Sequence, residues 1–79
     1  MKEERLSAEE TPKKNDINLT SKQKEVLKYL AQGFQNKEIA IRMNLSVSTI
    51  KLHVSGIMLR LNAKTRTAAV VEAQRLNLI

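Results

Sequence analysis

The chain has 79 residues, 42% hydrophobic and 28% charged, with no Cys, one Pro, two Gly and a net charge of +6. That length supports one small hydrophobic core, and the lack of Cys excludes a disulfide scaffold and a thiolate zinc site. With Tyr29 and Phe34 as the only aromatics, the core falls to Leu, Ile, Val, Met and Ala, which suits helices packed on helices; an all-α domain is expected.

No apolar run approaches the ~20 residues of a membrane span. Glu3, Glu4, Glu9 and Glu10 occupy the place of a signal peptide's apolar stretch, so a soluble cytoplasmic chain without a membrane partner is expected. Residues 1–18 mix Glu, Lys, Ser, Asn and Pro12 around isolated Leu6 and Ile17 without a sustained period. They read as a flexible polar tail or the remnant of an interdomain linker, ahead of one domain over residues 19–79. Residues 19–79 hold ten of the fourteen Lys and Arg but only three of the eight Asp and Glu. A basic body of this kind favours a polyanionic partner, nucleic acid first among them.

Four helices are expected in chain order. Thr20 and Gln23 have capping-box spacing, Val26, Leu27, Leu30 and Ala31 form an apolar stripe, and Gly33 can end the helix; the first helix is placed at Ser21–Gln32. A second, of about two turns, is capped by Asn36, turns Ile39, Ala40 and Met43 inward and stops at Asn44, which tolerates positive φ. A third, capped by Ser46, carries the cleanest period in Val47, Ile50, Val54, Ile57 and Leu61, so it is placed at about Val47 to Leu61. After the polar connector Asn62–Arg66, Thr65 or Thr67 caps a fourth helix with Ala69, Val70, Ala73 and Leu76 inward.

The few residues around Asn44–Ser46 force the second and third helices to cross steeply, as in a helix-turn-helix. On a helical wheel the outer face of the third helix carries Ser48, Thr49, Leu52, Ser55, Gly56 and Leu59, with Lys51 on the flank. Short hydroxyl side chains suit phosphate and base edges, Lys51 can reach a guanine edge or a phosphate, and Leu52 can pack on a thymine methyl. Gly56 on that face would be explained by close approach of the backbone to DNA, with drift as an equally adequate account. Lone His53 has no metal-ligand partners at suitable spacing, and there is neither a nucleophile with a base nor a Gly-rich phosphate loop. An enzyme, a metal and a cofactor are therefore not expected. On the fourth helix Val71, Gln74 and Leu78 make an outward line able to pair with a second copy about a two-fold axis.

Leu19-Thr20, Glu25-Val26-Leu27, Gly33, Asn36-Lys37-Glu38-Ile39-Ala40, Ser46-Val47-Ser48-Thr49-Ile50-Lys51, His53, Ile57, Arg60-Leu61, and Arg66 with Ala69-Val70 resemble the LuxR-type (GerE-like) DNA-binding domain. The resemblance spans Leu19 to Ile79. It implies a four-helix bundle of bacterial transcription regulators, either a stand-alone small protein or the output domain of a larger one such as a response regulator, that binds double-stranded DNA with its third helix in the major groove and dimerises through its fourth. Position by position, it places Lys51, Leu52 and Ser55 where family members contact bases, and Lys37, Ser48 and Thr49 where backbone contacts are common; Arg66 is added as a phosphate candidate, the alternative being that the matching arginine braces the connector. The chain departs from the usual pattern with Gln23 for Glu, Gln35 for a Ser cap, Asn44 for Gly and Gly56 for Asn. A second reading, a helical protein-interaction module docking on RNA polymerase or another regulator, would use the same basic face and Leu52.

Overall fold

Each helix starts at a residue able to hold free amides and ends at one able to turn left-handed. The computed structural model describes residues 17–79, in which α1 (Ser21–Ala31), α2 (Asn36–Met43), α3 (Val47–Arg60) and α4 (Arg66–Arg75) follow in order without a strand. No helix among the described residues is long and apolar enough to cross a membrane. The first sixteen residues, with most of the expected tail, lie outside this range; Ile17, assigned to that tail, packs against the core.

Thr20 accepts from the Gln23 amide at 3.0 Å while Gln23 Oε1 accepts from the Thr20 amide at 2.9 Å, a complete capping box. Ser46 and Thr65 cap α3 and α4 by accepting from the Thr49 and Ala68 amides. The start of α2 differs from expectation. Gln35, not Asn36, is the N-cap residue, and its amide donates to Glu38 Oε1 at 3.2 Å. Asn36 is unavailable because its Oδ1 accepts from Arg66, thirty residues further on.

The four C-termini share one solution. Gly33, Asn44, Asn62 and Asn77 adopt positive φ of 88°, 57°, 54° and 60°, and the following amide in each case reaches back to a carbonyl five residues earlier. These are Schellman turns, in which the residue after the left-handed one folds an apolar side chain onto the body. Phe34, Leu45, Ala63 and Leu78 fill that role, each half-buried against the core. Leu78 therefore does not continue the outward line of α4, as helical spacing suggested: the helix has ended at Arg75 and the turn at Asn77 sends Leu78 inward.

The core is built from the expected stripes. Val26 and Leu27 of α1, Ile39 of α2, and Ile50 and Ile57 of α3 are fully buried. α4 adds Ala69 and Ala73, whose small side chains let it close on α1 and α3, while Val70 and Leu76 are only half-buried. α2 packs closely on α3 alone.

Gly56 is the clearest departure from the wheel. It is half-buried, and a Cβ built on it would stand 2.5 Å from Gln23 Nε2 of α1. Its lack of a side chain makes room for α1, so the α1–α3 contact accounts for the glycine without an approach to DNA. Two of the four departures from the family pattern, Gln23 and Gly56, thus meet: the amide that closes the α1 capping box occupies the space a larger residue at position 56 would need. Alanine for Gly56 gains about 1 kcal/mol of helix propensity but displaces that amide. We expect Gly56→Ala to be nearly neutral in the parent and to stabilise by about 1 kcal/mol in a Gln23→Ala background. Urea unfolding of the four proteins checks this; equal effects in both backgrounds would contradict it.

Candidate nucleic-acid interface

α3 has one face in the core and one in solvent. Ile50, Val54 and Ile57 point inward, whereas Ser48, Lys51, Leu52, Ser55 and Leu59 are exposed. Helical spacing puts Ser48, Leu52, Ser55 and Leu59 on one stripe, with Lys51 beside it. Leu52 is 73% exposed at the middle of the stripe and Leu59 is 80% exposed near its end. His53 is half-buried at the stripe's edge.

The hydroxyls at the start of α3 are already organised. Ser46 Oγ donates to Thr49 Oγ1 at 2.8 Å and lies 3.2 Å from Ser48 Oγ. Thr49 is half-buried and Ser48 exposed, so the cap is a small hydroxyl cluster over the free amides of the first turn. Such a cluster can meet phosphate oxygens, with the positive end of the helix dipole behind it.

Lys37 is exposed on the first turn of α2, beside Asn36. Together with Gly33, Gln35, Asn36, Arg66 and Val70 it lines a cleft of about 640 Å³ between the N-termini of α2 and α4. Arg66 differs from the other sequence-assigned contacts because its half-buried guanidinium is bonded to parts of the chain some thirty residues away. Nη1 donates to Asn36 Oδ1 at 2.8 Å and Nη2 to the Phe34 carbonyl at 2.9 Å. Phe34 collects partners from three helices: Tyr29 of α1 at a centroid separation of 5.7 Å, the Arg42 guanidinium of α2 4.4 Å above its ring, and Arg66 of α4 at its carbonyl. Sequence reasoning missed Asn36, Phe34 and Arg42 as a group, since only the fold brings them together.

On α4, Val71 is 58% exposed and Gln74 is exposed, while Leu78 stands apart from them on the core. Glu72 and Arg75 form a two-point ion pair nearby, in which the arginine hydrogen bond holds the Glu72 carboxyl below its ordinary range and the carboxylate raises Arg75. Ile41, off the buried stripe of α2, is 72% exposed. Among the described residues no group of three or more His, Cys, Asp or Glu stands together as a metal site.

A bracing helix, a three-residue turn and a longer helix with one face free define a helix-turn-helix domain. The chain belongs to the luxR family of bacterial regulatory proteins: the GerE family model matches residues 17–73. It is 41% identical over 61 residues to the response regulator protein VraR of Staphylococcus aureus (strain NCTC 8325 / PS 47), covering 77% of this chain and 29% of that protein. The VraR of Staphylococcus epidermidis matches to the same extent. The chain thus spans about a third of the length of these curated relatives. Among solved structures, the response regulator ChrA of a heme-sensing two-component system superposes with a TM-score of 0.76 at 34% identity, over 78% of this chain and 31% of that one. The transcription factor GerE superposes with a TM-score of 0.72 at 28% identity, over 76% of this chain and 90% of that one.

Proposed function

We propose that the chain is a sequence-specific double-stranded DNA-binding module of a bacterial transcription regulator, a binding unit and not an enzyme, formed by residues 19–79. The observation that carries this is the solvent face of α3, where Lys51, Leu52 and Ser55 are exposed on a helix whose opposite face is buried. In the major groove Lys51, Leu52 and Ser55 contact bases, and Ser48, Thr49 and Lys37 hold the phosphates on either side. The basic balance of this part of the chain and the family to which it belongs support the reading.

The exposed face of α4 around Val71 and Gln74 pairs two copies on DNA. So small an apolar patch makes a weak contact, strengthened when a duplex holds both copies side by side. Selection of binding sites from a randomised duplex library is the test. An inverted repeat is the expected product, and its enrichment should weaken to a single half-site when Val71 is replaced by Asp. A single half-site enriched by the parent would contradict the dimer, and no enrichment at any salt concentration would contradict specific DNA binding.

A second reading has its own support. Docking on a protein such as RNA polymerase would use the same basic face and Leu52, which is 73% exposed. That contact would respond weakly to salt, whereas phosphate contacts weaken with a log–log slope of about 0.9 each.

A further inference from the structure

We propose that Arg66 is a positioning residue: it locks the N-terminus of α2 to α4, so that Lys37 meets the phosphate backbone in a fixed place. The proposal rests on the DNA-binding reading above, and of the two roles open to Arg66 it takes the bracing one in place of the phosphate contact, naming what is braced and for which contact.

Three observations carry it. α2 packs closely on α3 but not on α4, so its N-terminal end lacks a second helix to hold it. Arg66, the first residue of α4, spans that gap with two nitrogens of one guanidinium, one to Asn36 Oδ1 and one to the Phe34 carbonyl. Those acceptors flank Gln35, the residue from which α2 starts. A planar fork gripping two neighbouring points fixes orientation as well as distance, which a single ammonium cannot do.

The grip also answers a local need. The chain reverses between α1 and α2 through the left-handed Gly33, and Phe34 follows as the inward residue of the Schellman turn. Its carbonyl is half-buried there and takes Arg66 as donor, which spares it the cost of an unpaired polar group. Asn36 is the first residue inside the helix, so its side chain is free for Arg66, while the Glu38 carboxylate accepts from the Gln35 amide. Lys37 follows directly in sequence, on the same helical turn. Because α4 also carries the Val71–Gln74 face, one side chain links the helix that pairs two copies to the helix that braces on DNA.

The test is a double-mutant cycle between Arg66→Lys and Lys37→Ala, read as affinity for an enriched duplex across a range of salt. Arg66→Lys keeps the charge and loses the fork. It is expected to weaken binding by about tenfold, and the double variant should bind no more weakly than the weaker single variant, because both changes remove the same contact. Asn36→Ala, which removes an acceptor and no cation, should reproduce several-fold of the loss and guards against a variant of Arg66 that fails to fold. Hydrogen exchange without DNA should show faster exchange of the Glu38 and Ile39 amides in both Arg66→Lys and Asn36→Ala.

Additive losses, or parent-like binding by Arg66→Lys together with a salt slope reduced by about 0.9 in Arg66→Ala, would overturn the proposal and return Arg66 to a phosphate. Unchanged exchange at the start of α2 would also overturn it. If the parent binds no duplex, the DNA-binding reading itself fails, and the exchange measurement still decides whether Arg66 holds α2.

Discussion

Replacing Ile57 by Ala is expected to cost about 2–5 kcal/mol, the range for truncating a well-packed aliphatic side chain. Ile57 is fully buried on the inner face of α3, where α1 and α4 close over the helix. Deleting its outer carbons leaves a cavity that neighbours fixed on three helices cannot fill. A folded body of this size has roughly 3–9 kcal/mol in total, so the loss is a large fraction of it. Leu59, two residues on and 80% exposed, is the internal control: Leu59→Ala should stay within about 0.5 kcal/mol of the parent. Thermal or urea unfolding of the two variants checks the burial assignment, and comparable losses would contradict the way α3 is oriented. DNA binding should fall with the fold in Ile57→Ala and not in Leu59→Ala.

The second large effect concerns recognition. Lys51→Ala should weaken binding to the selected site by about 1–3 kcal/mol, roughly 5- to 150-fold, and flatten the base preference at one position of each half-site. The fold should not respond, since Lys51 is exposed on the solvent face of α3. Lys37→Ala gives the contrasting pattern. It should weaken all sequences alike and lower the salt slope by about 0.9, because a phosphate contact carries charge and no sequence information. Comparison of the two variants on the selected and a scrambled duplex separates the roles. Equal losses on both duplexes for Lys51→Ala would place that residue on the backbone.

The fold was legible wherever one local rule acted alone. Val47, Ile50, Val54, Ile57 and Leu61 repeat at helical spacing, and α3 follows them to Arg60. Thr20, Ser46 and Thr65 offered caps and serve as caps. Asn44 offered a left-handed turn in the place of the family's glycine and makes it. The misses arose where a distant residue or a change of backbone intervened. Asn36 had the chemistry of a cap, but Arg66 took its side chain. Leu78 continued the helical period in sequence after the helix itself had ended at a left-handed asparagine. Gly56 lies near the boundary of the wheel, and only the position of α1 decides which side of that boundary it occupies.

The exposed face of α3 was legible to a similar depth. An apolar residue in the middle of a polar stripe, Leu52, is visible in the sequence because the inner stripe of α3 is so regular, and it is exposed in the fold. The group around Phe34 was not legible. Its members are separated by up to 37 positions, from Tyr29 to Arg66, and no periodicity relates them.

The central claim, that the outer face of α3 reads the major groove, is tested most directly by base analogues in a selected duplex. Replacing each purine in turn by its 7-deaza form, and each thymine by uracil, removes groups displayed only in the major groove and leaves pairing and the minor groove intact. The account predicts that the parent loses affinity at one or more positions of each half-site, and that Lys51→Ala or Leu52→Ala no longer responds to the analogue at the position it reads. Affinity unchanged at every substituted position would contradict it.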